Sequence, residues 1–508
     1  MENRTLALIC ILLIAAARYL VQKRRLVANL SLPPGPTPLP VIGNVLGMNT
    51  REPWVTYAQW GNIYGDLVYS RLFQQEVIVI NSEKVATALM QQRSYNYSDR
   101  PYSAITEPTG LGFSSARLPY GDRWRQHRKL FHQVFRADAS IKYRPMQLHR
   151  AQQLLSDLHE TPENYAAHLQ KYSASIILSI VYAYETEPKN DPVVVEIEES
   201  MDLIFKTATP FNSAMLSAFP FLMHIPSWLP GSSFRQNVML CRNRAKDMIE
   251  APYKFVNFSD TSGPSMISDA LRRDNHGGEE YKKAIKESSA TAFGAATETT
   301  SSTLLIFILA MILHPHVQER AQLEIDSVVG TERLPNFDDR SSLPFVEAVL
   351  REVLRWHPVA PLGVPHATTN SDVYNGYLIP KGASIVSNIW AMTHNEAKYP
   401  NPSEFIPERF LTTNGQLTDD TVAFAFGFGR RVCVGRHVAD ASLWAAMTLM
   451  LSVFKFMPTK NMQGEDVALE PQWTSGITSH PVAFPCRIIP RSSVMDAQNL
   501  ARLIDSPA

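Results

Sequence analysis

Most of the chemistry this chain could perform is concentrated in the segment Phe426 to Gly435, FGFGRRVCVG. Gly427 and Gly429 permit tight turns and let a backbone approach a flat object closely. Cys433 stands just before a helical pattern that begins near Gly435, where the helix dipole and free amides favour a thiolate. Gly435 has no side chain, so a large planar group can lie against it. Arg431 supplies a cation for an anionic group. The set suits a haem held by a cysteine thiolate, a ligand that pushes electron density to iron and favours O–O cleavage. A lone cysteine beside a Gly-rich turn would otherwise read as a buried structural thiol.

Three weaker signals lie upstream. Glu352 and Arg355, in FVEAVLREVLRWHP, share a helix face at i, i+3. Alone, such a pair is most often an exposed ion pair of small value. Trp124 and Arg128, in YGDRWRQHRKLF, lie one helical turn apart on one face and alone suggest packing. Ala295 to Ser302, AATETTSS, falls inside the helical pattern Ile285–His314. Hydroxyls clustered on a helix usually bond back to its own carbonyls.

Together and in this order, these segments resemble the cytochrome P-450 family. Phe426 to Gly435 fits F-G-x-G-x-R-x-C-x-G at every fixed position, a coincidence on the order of one in a hundred thousand from average residue usage. Phe405 to Phe410, FIPERF, resembles the family's F-x-P-E-R-F, and the resemblance spans Pro33 to Arg491. It implies a haem b iron ligated by Cys433, with Phe426, Gly427 and Gly435 against the cofactor. It implies that Arg431, Trp124, Arg128 and His366 (in VPHAT) bind the propionates. It implies a structural network of Glu352, Arg355 and Arg409 that holds the cysteine loop. Glu298 and Thr299 become the acid–alcohol pair that delivers protons. Ala296 stands where the family usually has glycine, so the oxygen groove is expected to survive but narrow.

The implied reaction is monooxygenation: RH, O2, two electrons and two protons give ROH and water. Electrons would come from an NADPH-dependent cytochrome P-450 reductase, with cytochrome b5 as a second donor. Arg125, Lys129, Arg430, Arg436 and His437 are candidates for the basic docking patch. By family position, Tyr102–Phe113, Ile204–Phe211, Phe293, Ala296, Val359–Val364 and Ile477–Thr478 line the substrate space. They are mostly apolar, which suggests a lipophilic substrate such as a terpenoid or polyketide. The wording around GAATETTSS and FGFGRRVCVGRHVAD looks most like fungal secondary-metabolism members. A non-oxygenase haem-thiolate isomerase or dehydratase would need no Glu298-Thr299 pair. A secreted peroxygenase would need cleavage after Ala17. A haem-binding gas sensor would show no turnover.

The remaining features frame the site. Lys plus Arg and Asp plus Glu each number 48, so no basic excess points to nucleic acid. The four cysteines are scattered, without CxxC or CxxCH, which suits a reducing compartment and no disulfide scaffold. Leu6 to Ala17 is apolar and Lys23, Arg24 and Arg25 follow it. A signal anchor and a cleaved secretory peptide both fit this run; the basic cluster after it favours an anchor with a luminal N-terminus. That reading places a monomeric enzyme on the endoplasmic reticulum membrane with its body in the cytoplasm. The expected organisation is an anchor over residues 1–25, a proline-rich hinge over 26–44 and a catalytic domain over 45–508. The hinge is stiff and extended, because its prolines exclude helix, and reads as a spacer. The expected fold is mainly α with small β-sheets. Helices are expected at Tyr120–Phe135, Tyr165–Tyr184, Ile285–His314 and Arg436–Phe454. Strands are expected at Leu67–Leu72, Glu76–Ile80, Val373–Ile379 and Ser384–Asn388, and a polar surface loop at Arg272–Lys283.

Overall fold

The computed structural model describes residues 30–187, 191–226, 228–229, 232–254, 264–273, 278–491 and 497–505. The expected anchor lies outside the described residues. The architecture is mainly helical with three small sheets.

The centre is the helix Gly278–Leu313, in which every residue from Thr300 to Ile312 is buried. It is long and apolar enough to cross a membrane, but 78% of its apolar window is covered by protein. A helix apolar on all sides is the core of a large fold when other helices surround it. Here Tyr165–Tyr182 covers it most extensively, joined by Asp122–Phe135, Ser232–Lys254, Pro344–Trp356 and Arg436–Val453. Pro344 opens its helix at the first position, where its missing amide costs nothing. That helix ends at Trp356, just before His357-Pro358, because the residue preceding a proline is pushed out of the helical region.

The strands are β1 (Leu67–Leu72), β2 (Gln75–Ile80), β3 (His366–Ala367), β4 (Asp372–Tyr374), β5 (Tyr377–Ile379), β6 (Ser384–Ser387), β7 (Phe454–Pro458) and β8 (Cys486–Pro490). The main sheet has the order β1-β2-β6-β3, with β2 parallel to β6 and the other pairs antiparallel. The strand expected over Val373–Ile379 is instead the hairpin β4–β5. Asn375 and Gly376 both take positive φ, 49° and 79°, the backbone of a two-residue Asn-Gly turn.

Two further expectations change. The polar segment Arg272–Lys283 is shorter as a loop, since the central helix already begins at Gly278. The proline-rich stretch is extended as expected, yet from Ser31 onward it is not a free spacer. Leu378 donates its amide to the Ser31 carbonyl at 2.8 Å, and Tyr69 donates to the Pro34 carbonyl at 2.9 Å. Gly35 lies so close to β1 that a Cβ there would stand 1.9 Å from the Tyr69 carbonyl oxygen. The segment uses the open edge of β1, which would otherwise present unpaired backbone groups.

Candidate active site

The cysteine loop is built by its glycines. Gly427 has φ +82° and Gly429 φ +58°, a region that favours glycine. At Gly429 a Cβ would also lie 2.0 Å from the Met90 carbonyl oxygen, so the loop seats directly on another backbone. The Cys433 amide then closes the loop by donating to the Phe426 carbonyl at 2.8 Å. The helix Arg436–Val453 starts just beyond. Added Cβ atoms at Gly427 and Gly435 meet nothing within 4 Å, so both glycines border open space. Cys433 is accessible although it lies deep in the protein. Burial pushes its thiol pKa up, against the Gly435 and Arg436 amides and the Arg128 and Arg436 guanidiniums, which pull it down. The expected dipole and amide effects are therefore present but outweighed in the free thiol. As a metal ligand, the Cys433 sulfur would serve as a thiolate.

Around this loop lies a cluster of cations. Arg431 donates to the carbonyls of Ser98 (2.8 Å), Ser115 (3.2 Å) and Leu118 (2.8 Å) and covers the Trp124 ring at 4.4 Å. Arg128 donates to the Val432 carbonyl at 2.8 Å. Arg100 donates to the carbonyls of Ala116, Val364 and Pro365. Arg117 donates to that of Ala208 at 2.7 Å. Every acceptor found for these four guanidiniums among the described residues is a backbone carbonyl. Burial accordingly lowers the pKa of Arg100 strongly and takes those of Arg117 and Arg431 to about 10.

His366 is buried. Its Nδ1 faces the Tyr97 carbonyl at 2.7 Å, and a carbonyl can only accept, so Nδ1 carries the proton. Burial, then Arg100, holds its pKa well below the ordinary value. Arg100 therefore stands beside His366 and opposes its protonation.

On the central helix, Ala295 is exposed and Ala296, Glu298 and Thr299 are half-buried among otherwise covered neighbours. The helix remains α-helical through Ala296. Thr299 bonds back to the Ala295 carbonyl at 2.8 Å, and Thr297, Ser301 and Thr303 do the same one turn away. Glu298 accepts instead from the Thr478 hydroxyl. Acid and alcohol are thus adjacent in sequence but engaged with different partners.

Arg355 donates to both oxygens of Glu352, at 2.6 and 2.7 Å, and both side chains are fully buried. Arg409 joins at 3.3 Å and the Ile406 amide at 2.7 Å. Arg355 also donates to the carbonyls of Thr393, Pro402 and Glu404. One carboxylate and one guanidinium therefore gather the segments around residues 393–409.

Residues 33–484 match the family model described as Cytochrome P-450. The chain belongs to that family. It is similar to Cytochrome P-450 monooxygenase claR of Ampulloclitocybe clavipes, at 36% identity over 478 residues, covering 93% of this chain and 89% of the relative. It is 38% identical to Cytochrome P-450 monooxygenase ple1 of Rhodocybe pseudopiperita over 471 residues, covering 91% and 90%. It is 37% identical to Cytochrome P-450 monooxygenase ppsD of Aspergillus oryzae over 499 residues, covering 96% and 93%. The chain is a member of a monooxygenase family with fungal relatives.

Cytochrome P-450 membership implies haem iron with a cysteine thiolate ligand, and the residues present fit that group. An accessible thiol lies beside side-chain-free backbone at Gly427 and Gly435. Among the described residues these half-buried guanidiniums have no carboxylate hydrogen-bond partner, which suits a pocket for two propionates. Of five N–H donors each, Arg431 spends three on carbonyls and Arg128 one, leaving donors for an anion.

Sequence reasoning did not find Arg100, Arg117 or the Glu298–Thr478 contact. It also missed Glu287, held in a fork by Arg123 (2.6 and 3.1 Å) and 3.3 Å from the fully buried His127. Arg100 precedes a proline in a segment with no helical spacing to flag it.

Proposed function

We propose that this chain is a haem-thiolate monooxygenase that inserts one oxygen atom into a lipophilic small molecule, a secondary metabolite of the terpenoid or polyketide kind. The observation that carries the reading is the accessible Cys433 thiol beside Gly427 and Gly435, near half-buried arginines that, among the described residues, hydrogen-bond only to backbone carbonyls. Cys433 would ligate the iron, and Arg431, Arg128, Arg100 and Trp124 would hold the propionates. When bound, the haem supplies oxygen activation. Glu298 and Thr299 would carry protons along the central helix. Glu352, Arg355 and Arg409 hold the cysteine loop from behind.

The electron donor in this reading is an NADPH-dependent reductase, with cytochrome b5 as a second source. Arg125 and Arg430 both lie over the Tyr120 ring, at 4.9 and 5.5 Å, which supports a common basic face. Lys129 is exposed on the same helix as Arg125, and Arg436 and His437 follow the cysteine. The apolar N-terminal run would anchor a monomeric catalytic body at the endoplasmic reticulum membrane.

The test is a reduced-plus-CO difference spectrum of the purified protein beside Cys433→Ser. The long-wavelength Soret band of thiolate ligation is expected in the wild type and absent in the variant. A wild-type spectrum without it would overturn the reading.

A further inference from the structure

The loop Trp473–Pro481 has no regular strand or helix, yet it is tightly fixed. Trp473 stacks on His357, with ring centroids 3.4 Å apart and planes at 10°. Ser479 donates its amide to the Val359 carbonyl at 2.8 Å, and its hydroxyl pairs with His357 Nε2 at 3.0 Å. The Thr474 amide reaches the His480 carbonyl at 2.9 Å, and Trp473 bridges to Pro481. His357 itself directly follows the helix that carries Glu352 and Arg355. These contacts hold Thr478 in place, buried, with its hydroxyl donating to Oε1 of Glu298 across 180 residues of sequence.

An exposed carboxylate on a helix turns freely among rotamers. A carboxylate held by a hydroxyl on a fixed loop does not. Glu298 is half-buried and its alcohol neighbour Thr299 is bonded to its own helix, so Thr299 does not orient it. We propose that Thr478 is a positioning residue: it fixes the Glu298 carboxyl in the orientation from which it passes protons toward the space beside Cys433. This rests on the reading of Glu298 as a proton-delivering group. The threonine hydroxyl suits the task because it donates to the acid while its oxygen still accepts from a water or a substrate hydroxyl.

The test uses the haem-loaded full chain and an NADPH-dependent reductase, with Thr478→Val, Thr478→Ser and Glu298→Gln compared with the wild type. The CO band checks ligation in each. Without added substrate, NADPH oxidation is expected to slow about tenfold or more in Thr478→Val, on the scale of losing one hydrogen bond to a charged group. Its solvent isotope effect should rise, and Thr478→Ser should restore both. Difference infrared spectra of the resting protein, each taken against Glu298→Gln, should show the Glu298 carboxyl band displaced in Thr478→Val and returned in Thr478→Ser. Slowing in Glu298→Gln with none in Thr478→Val overturns the positioning role while leaving the proton-delivery reading intact. No slowing in Glu298→Gln removes that reading and the inference with it. An undisplaced carboxyl band in Thr478→Val also overturns the inference.

Discussion

Arg355 and Glu352 are joined by two hydrogen bonds of 2.6 and 2.7 Å while neither side chain touches solvent. Desolvation of such a pair nearly cancels its attraction, but removing Arg355 leaves the buried Glu352 carboxylate with only Arg409 at 3.3 Å and the Ile406 amide. Arg355→Leu should therefore destabilise the protein by about 3–5 kcal/mol, and it also strips the Thr393, Pro402 and Glu404 carbonyls of their donor. Urea unfolding beside haem content measures this, and a loss under 1 kcal/mol (roughly the surface-pair range) would contradict it.

Glycines with similar backbone angles should differ sharply. Gly429 and Gly464 have φ +58° and +83°, but only Gly429 faces a backbone oxygen at 2.0 Å. Gly464→Ala meets nothing within 4 Å and should cost about 1 kcal/mol of backbone strain. Gly429→Ala adds a collision with Met90 and should cost about 3 kcal/mol or more. Thermal melts of the two variants give the comparison.

His394 ties stability to pH. Burial, then Arg355, lowers its pKa to about 4, and its ring stacks on Trp390 at 3.7 Å. The unfolded chain titrates near pKa 6.5, so between the two values it binds the proton that the folded chain refuses. The associated stability is complete above pH of about 6.5, falls as pH drops and is gone below about 4, a total of roughly 3 kcal/mol. His357 and His366, also held low, act in the same direction. Unfolding midpoints across this window should fall less steeply for His394→Phe than for the wild type.

Arg100 should matter to haem retention. Arg100 is half-buried near Arg431 and Arg117, and the nearby acid is Asp99. Arg100→Gln should release haem to an acceptor apoprotein about tenfold faster, the scale of one lost charge-assisted contact. An unchanged transfer rate would place the propionates elsewhere.

If the face around Tyr120 receives the reductase, Arg430→Glu should raise the reductase concentration giving half-maximal reduction about tenfold at low salt. The effect should shrink as ionic strength rises. A salt-independent change would indicate damage to the cysteine loop.

What the sequence revealed followed the distance over which each signal acts. The cysteine loop was legible because its glycines, cation and thiol are contiguous. Glu352 and Arg355 were legible because i, i+3 spacing places them on one face. β4–β5 was misread as one strand because alternating Val, Tyr and Leu outweighed Asn375-Gly376, the turn pair between them. Arg100 and the contact of Thr478 with Glu298 left no local trace. Their partners lie across the fold: Arg100 reaches the Val364 carbonyl 264 residues away, and Thr478 reaches Glu298 180 residues away. The groups that oppose protonation of His366, Arg100 and Arg431, come from other segments, so its electrostatic setting could not be read from VPHAT.

The proline-rich segment carries a consequence for where the protein can be cut. Ser31, Pro34 and Gly35 are fastened to β5 and β1. A shortened protein that begins at residue 45 would expose the backbone of a sheet edge and invite aggregation. One that begins at residue 30 keeps that edge covered. The backbone that covers this edge therefore includes Ser31, Pro34 and Gly35.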